Sequence, residues 1–258
     1  AVASSADKTF SYIPDCSDLD IPEDADYVYI CENNTIYGTK FYWDWKLDHP
    51  INFSDSIQRN YLGTDFRITN GIKYTHLEDS IGYAYVESFA NGFGTDNLSV
   101  MLMNLKDCKG LILDIRNNGG GMMDQCIKIA DALLPEAMIT YTRDKNGKEE
   151  TYNSDEHCTD LNYVLLINEN SASAAEIVAA AIKDNGGKLV GETTFGKGII
   201  QGTMDLQDGS AMCLTIMEYF SPDGNQIHKK GVTPSHKVVL PENAKTDVQL
   251  EKALKLLK

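Results

Sequence analysis

The sequence predicts an α/β fold, because short apolar segments alternate with segments of helical periodicity. Two nearly continuous apolar runs, Lys109–Ile115 and Tyr163–Asn168, are typical of strands buried on both faces of a sheet. A helical pattern follows each run, at Met122–Leu134 and at Ala174–Ile182. Strand and helix therefore alternate through the centre of the chain.

Residues 1–70 predict a small β-rich extension at the N-terminal side of this core. Residues 1–26 carry seven acidic side chains and one basic side chain, a composition typical of a solvated segment. Tyr27–Cys31 and Ile36–Trp43 have the β-branched and aromatic residues of two strands. Residues 44–70 contain proline and glycine breakers and are expected to be irregular.

The second predicted domain, residues 71–258, contains the core. Asp96 or Asn97 is predicted to cap a helix with an apolar stripe, and Asp247 is predicted to cap a last amphipathic helix. Ser221–Gly224 has the composition of a turn. Further strands are predicted at Ile81–Ser88, Lys188–Gly191, Ile199–Leu206 and Ala211–Phe220.

Composition excludes several classes of function. The 258 residues carry a net charge of −15, which would repel nucleic acid and anionic membranes. No apolar run approaches the roughly 20 residues of a transmembrane helix. No signal-peptide pattern is present, so we expect a processed or trimmed chain. The six cysteines lack metal-site spacing, and neither a metal nor another cofactor is predicted. Nothing in the sequence indicates an oligomeric state.

Two short stretches carry the candidate chemistry. Ser171-Ala-Ser-Ala opens an apolar helix, and Lys197 lies between two glycines 24 positions after Ser173. A serine hydroxyl becomes a nucleophile when a base accepts its proton, and a neutral lysine can be that base. The alternative is structural, because such serines also cap helices and a lysine in a glycine-rich turn is usually solvated.

A third stretch, Arg116-Asn-Asn-Gly-Gly-Gly121, lies where a buried strand ends and a helix begins. It does not have the spacing of a phosphate-binding loop. Glycine N–H groups at this position can instead bind the oxyanion of an acyl-transfer reaction, together with the N–H that follows the nucleophile. The structural alternative is a tight strand-to-helix turn.

These three stretches, in this order, resemble the C-terminal processing peptidases, also called tail-specific proteases. Tyr219-Phe-Ser-Pro-Asp-Gly224 and Gly231-Val-Thr-Pro234 match the same pattern, and the resemblance covers roughly residues 72–258. It implies a serine endopeptidase with a crotonase-like α/β core of stacked ββα units. It also implies a polypeptide substrate, cleaved in unstructured or C-terminal regions, and a periplasmic or other extracytoplasmic location.

The resemblance assigns roles residue by residue. Ser173 is the expected nucleophile, Lys197 the general base, and Gln201 the residue that holds the lysine amine. The N–H groups of Ala174 and Gly120 are the expected oxyanion donors, with Gly119 as the alternative to Gly120.

The chain also departs from the family pattern. Members usually carry a PDZ domain before the core, whereas residues 1–70 show no glycine-rich carboxylate-binding loop and suggest a remnant, a substitute or a trimmed form. A Ser-His-Asp triad is the rival mechanism, although none of the five histidines lies in a motif. A non-catalytic peptide- or lipid-binding module on the same fold is the alternative function, but such a module should lack Ser173 or Lys197.

Overall fold

A computed structural model of the chain describes residues 72–89, 95–205, 211–241 and 244–258, together with the backbone of five short strands before residue 72. The chain divides into two compact units, Ala1–Thr69 and Asn70–Lys258. Each unit is described separately below.

The first unit contains a four-stranded sheet in the order β2-β1-β3-β4. Its two longer strands form an antiparallel hairpin in which Tyr27 lies opposite Lys40. Both predicted strands of this region are therefore confirmed. A short strand also occurs in the segment expected to be irregular, at β5. The strands are β1 (Val2–Ala3), β2 (Phe10–Ser11), β3 (Tyr27–Glu32), β4 (Thr35–Lys40) and β5 (Arg67–Thr69).

The described part of the second unit contains strands and helices in alternation, which confirms the predicted α/β class. The strands are β6 (Ile72–Leu77), β7 (Ile81–Val86), β8 (Gly110–Asp114), β9 (Met138–Asp144), β10 (Glu149–Asn153), β11 (Tyr163–Ile167), β12 (Lys188–Gly191), β13 (Ile199–Asp205), β14 (Ala211–Phe220) and β15 (His236–Lys237). The helices are α1 (Thr95–Leu105), α2 (Met123–Leu133), α3 (Ala174–Asp184) and α4 (Val248–Leu257).

One mixed sheet forms the centre of this unit, with its strands in the order β15-β12-β11-β8-β7-β6. Strands β6 and β7 pair antiparallel, and the pairs from β7 to β15 are parallel. Every residue of β8 is buried, as its continuous apolar run predicts. Parallel strands present their carboxyl ends at one edge, so the turns after β8, β11 and β12 lie together there.

Helix boundaries follow from the local sequence. Asp247 accepts hydrogen bonds from the N–H groups of Gln249 and Leu250, so the predicted cap of α4 is confirmed. Helix α1 begins at Thr95, and the predicted cap at Asp96 or Asn97 is wrong. These two residues lie in the first turn of the helix.

A second, antiparallel sheet has the order β10-β9-β14-β13. Strand β14 changes character along its length, because Met212, Leu214 and Ile216 are exposed whereas Tyr219 and Phe220 are buried. The pairing of β13 with β14 shifts register between Ile200 and Gln201. The buried end of this strand therefore reaches the core, next to the start of β13.

Candidate active site

The glycine turn after β8 is fastened by a buried cluster of charged side chains. The Arg116 guanidinium forms ion pairs with Asp114 at 2.6 Å and with Asp247 at 2.8 Å, and it donates to Gln249 Oε1 at 2.9 Å. The Tyr83 hydroxyl donates to Asp114 at 2.7 Å. Burial alone would lower the pKa of Arg116, but the two carboxylates raise it well above its usual value. Arg116 therefore stays charged and links β8 to the start of α4.

Asn118 connects the glycine turn to the loop that precedes α3. Its side chain donates to the Val86 carbonyl at 3.0 Å and accepts the Gly120 N–H at 2.8 Å. Its own carbonyl accepts the Ala172 N–H at 2.9 Å. The two loops are thus bonded directly to each other.

Gly120 lies against the start of helix α3. Its φ is +95°, and a Cβ there would lie 2.8 Å from Ser173 Cβ and 2.9 Å from Ala174 N. Only glycine fits this conformation and this approach. Gly119 is exposed, and a Cβ there would have no neighbour within 4 Å. The predicted donor Gly120 has its N–H bonded to Asn118, so an oxyanion would compete with that side chain.

The two serines before α3 differ in burial and backbone conformation. Ser171 is fully buried, donates to the Ile115 carbonyl at 2.8 Å and accepts the Asn168 N–H at 3.0 Å. Ser173 is half-buried and has φ 57° and ψ −120°, a strained conformation for a residue with a side chain. Such strain at a strand-to-helix turn is typical of a nucleophile exposed for reaction. Ser171 has a structural role.

Glu176 joins the Ser173 segment to the Lys197 segment. This fully buried carboxylate accepts the N–H of Ser173 at 3.0 Å and the N–H of Lys197 at 2.7 Å, both on Oε2. Its Oε1 accepts the Thr194 hydroxyl at 2.5 Å and the Gly196 N–H at 2.7 Å. One side chain therefore fixes the backbone of both candidate catalytic residues.

Sequence reasoning missed Glu176 and Tyr219 as members of this site. The Ser-x-x-Glu spacing of a capping box was a usable signal for Glu176. The Tyr219 hydroxyl lies within hydrogen-bond distance of the carbonyls of both Ser173 and Lys197. Tyr219 lies 46 positions after Ser173, and local sequence gives no signal for such a contact.

The remaining predicted residues lie on the segments around this centre. Lys197 is half-buried in the loop before β13. Gln201 is an exposed residue of β13, immediately after the register shift. The half-buried His228 packs against the backbone of this loop, because a Cβ on Gly198 would lie 2.8 Å from His228 Cα.

Within the described residues, no group of three or more histidine, cysteine, aspartate or glutamate side chains could hold a metal ion. Cys108, Cys126, Cys158 and Cys213 are free thiols. None of the helices that the structure describes combines the length and apolar character needed to cross a bilayer.

Known proteins with similar sequences and structures place this geometry in a class. Residues 80–238 match the sequence profile of Peptidase family S41. The Carboxyl-terminal-processing protease of Synechocystis sp. is 38% identical over 187 residues, which make up 69% of this chain and 44% of that protein. The Carboxy-terminal processing protease CtpA of Bacillus subtilis is 37% identical over 177 residues, 67% of this chain and 38% of that protein.

Solved structures agree with the sequence comparison. A putative peptidase from Parabacteroides merdae has a TM-score of 0.68 at 30% identity, covering 91% of this chain and 78% of that one. The photosystem II D1 C-terminal processing protease has a TM-score of 0.61 at 30% identity, covering 74% and 53% of the two chains.

The fold, the site and the similarity to known proteins together define the class of this protein, which is a serine-type peptidase. The chain belongs to peptidase family S41. The predictions of family, fold class and peptidase class are confirmed. The chain spans less than half the length of the two curated relatives described above.

Proposed function

We propose that this chain hydrolyses peptide bonds with a Ser173/Lys197 dyad through an acyl-enzyme intermediate. The observation that carries the proposal is the shared acceptor, because one oxygen of Glu176 binds the N–H groups of both residues. Two backbones bonded to one atom are close neighbours. Their side chains, a hydroxyl and an amine, then form a nucleophile and its base.

Each step of the proposed reaction has a donor and an acceptor. The neutral Lys197 amine accepts the Ser173 hydroxyl proton as Oγ attacks the peptide carbonyl, and the same proton then passes to the leaving amine. The Ala174 N–H and the Gly120 N–H bind the oxyanion, the latter in exchange for its bond to Asn118. Gln201 orients the lysine amine. Water, deprotonated by Lys197, releases the acyl group and restores the serine.

The substrate class follows from the family and from charge. The carboxyl-terminal-processing relatives support a polypeptide substrate. Our proposal is that it is cleaved in unstructured or C-terminal regions, in an extracytoplasmic compartment. The net charge of −15 disfavours a polyanionic partner.

The test compares two serines that lie two positions apart. Ser173→Ala should abolish cleavage of an unfolded protein and labelling by a fluorophosphonate probe, while thermal unfolding remains near that of the wild type. Ser171→Ala should lower thermal stability, because it removes both hydrogen bonds of a buried hydroxyl, but the folded fraction should retain activity. Full activity in Ser173→Ala would refute the proposal, and so would probe labelling that persists in that variant.

Lys197→Arg tests the base. Arginine stays charged and accepts no proton, so this variant should be inactive at every pH at which the wild type works. Lys197→Arg with wild-type kcat would exclude the general-base role.

We further propose that residues 1–70 do not form a carboxylate-binding PDZ domain. Gly38 and Gly63 are the only glycines in this segment, so it has no clustered pair to build a nest of N–H groups around a C-terminus. One peptide substrate with a free or an amidated C-terminus should be cleaved at equal rates. A strong preference for the free carboxylate would contradict this proposal and leave the dyad untouched.

A further inference from the structure

The hydroxyl of Tyr219 touches the backbones of both proposed catalytic residues. Its oxygen lies 3.0 Å from the Ser173 carbonyl oxygen and is also hydrogen-bonded to the Lys197 carbonyl oxygen. The N–H of Tyr219 donates to the Gly198 carbonyl at 3.1 Å. A single residue of β14 thus contacts the carbonyl of Ser173 and the two successive carbonyls of Lys197 and Gly198.

Glu176 makes the complementary set of contacts. It accepts the N–H groups of Ser173 and Lys197, whereas the single hydroxyl proton of Tyr219 is shared between their two carbonyls. Each of the two residues is therefore fixed at both of its polar backbone groups. Glu176 is an acceptor and Tyr219 a donor, so neither can replace the other.

The strained backbone of Ser173 explains why such fixing is needed. With φ at 57° and ψ at −120°, Ser173 retains this conformation only if its surroundings impose it. Its carbonyl also accepts the N–H groups of Glu176 and Ile177, which belong to α3 itself. The Tyr219 hydroxyl connects this carbonyl to the lysine segment by hydrogen bonding.

We propose that Tyr219 is a positioning residue that sets the separation of Ser173 and Lys197. The proposal rests on the proposed dyad and adds to it a residue that contacts neither the substrate nor the reacting atoms. Its hydroxyl bonds to the two backbones, and through them it places the Ser173 oxygen and the Lys197 amine at reacting distance.

The phenol is suited to this role because it remains a donor. Burial, reinforced by the nearby Glu176 carboxylate, raises the pKa of Tyr219 well above its usual value. Its hydroxyl therefore keeps its proton throughout the pH range in which a peptidase works. The ring lies in the hydrophobic core, where phenylalanine would fill the same space.

The experiment removes the hydroxyl and keeps the ring. Tyr219→Phe should lower kcat by about 10- to 100-fold with KM nearly unchanged, because a small misplacement of reacting groups slows chemistry more than binding. Labelling of Ser173 by a fluorophosphonate should slow by a similar factor. Wild-type kcat and wild-type labelling in this variant would overturn the proposal.

Thr140→Val is the matched control. Thr140 is buried on β9 and donates its hydroxyl to the Phe220 carbonyl at 2.7 Å, one residue from Tyr219 on the same strand. Its loss removes a buried hydroxyl-to-carbonyl bond of β14 without touching Ser173 or Lys197. Thr140→Val should lower thermal stability and keep kcat. An equal fall of kcat in both variants would show a purely structural role and refute the proposal.

A rescue measurement covers the case in which Tyr219→Phe does not fold. Incorporation of 4-aminophenylalanine at position 219 restores an N–H donor on the same ring, and the folded protein should regain a large part of kcat. A folded rescue variant without activity would refute the proposal. Ser173→Ala and Lys197→Ala are measured alongside to test the dyad separately from the role of Tyr219. Activity in either of these two variants would refute the dyad itself.

Discussion

The two sides of the candidate site are held by different chemistry. The glycine turn after β8 depends on buried charges, with Arg116 between Asp114 and Asp247. The serine and lysine segments depend on backbone hydrogen bonds to Glu176 and Tyr219. Breaking a buried ion pair leaves an uncompensated charge, whereas removing one hydroxyl leaves the fold standing. We therefore expect the charged cluster of the first side to act mainly on stability and the hydrogen bonds of the second side to act mainly on catalytic geometry.

The largest effect should come from Arg116→Met. This change leaves two buried carboxylates without their cation and should lower the free energy of unfolding by about 3–5 kcal/mol. Chemical denaturation followed by circular dichroism measures it. Arg143→Met is the control, because Arg143 pairs with Glu149 at an exposed site and its loss should change stability little. Equal effects of the two changes would erase the distinction between the sides.

The next effect concerns the point where the sides meet. Gly120→Ala should abolish activity, because residue 120 has a backbone φ of +95° and an added Cβ would collide with Ser173 and Ala174. Gly119→Ala should be tolerated, since a Cβ there meets nothing within 4 Å. Initial rates on one peptide substrate, with thermal unfolding as the fold check, test both. An inactive but folded Gly119→Ala enzyme would instead favour Gly119 as the oxyanion donor.

Glu176→Gln tests the second side. The amide keeps the volume but turns an acceptor oxygen into a donor facing N–H groups, so kcat should fall by on the order of 100-fold. Glu169→Gln, on the exposed loop before Ser171, is the matched control and should be neutral. If Glu176→Gln lowered the free energy of unfolding as much as Arg116→Met does, the distinction between the two sides of the site would be wrong.

The smallest effect is one that both sides share. Burial, with Asp114 next in importance, raises the pKa of Tyr83, and burial also raises that of Tyr219. A raised folded-state pKa gives stability that is complete below the unfolded value near 10 and is lost as pH rises above it. Each tyrosine should contribute a loss that approaches about 1.4 kcal/mol per pH unit well above pH 10, which amounts to about 1.4 kcal/mol in total between pH 9 and pH 11. Between pH 9 and pH 11, the free energy of unfolding should fall less with pH in Tyr83→Phe than in the wild type. An equal fall in both proteins would contradict this prediction.

The parts of the fold that could be predicted from the sequence are those determined by neighbouring residues along the chain. Strand β8 and helix α3 were predictable because a continuous apolar run indicates a buried segment. Strands β9 and β10 were missed because β10 is largely polar and exposed, and its strand conformation comes from pairing with β9. Strand formation of this kind depends on a partner and not on the segment's own residues.

The site divides in the same way. Ser173 and Lys197 lie in short motifs that indicate their chemistry, and they remain predictions until activity is measured. Tyr219 acts through contacts 22 and 46 positions away, and Arg116 meets Gln249 across 133 positions. Such contacts follow from the folded topology, and no periodicity or spacing records them.

The long-range partner of Arg116 has a consequence for how the protein is made. Asp247 and Gln249 are translated after all of the strands and helices that surround the glycine turn, including β14 with Tyr219. Until they leave the ribosome and α4 docks, Arg116 lacks one of its two carboxylates and the turn lacks its final support. The order of synthesis thus delays the complete buried charge cluster around Arg116 until the chain has been translated beyond Gln249, so the glycine turn gains its full support only late in folding.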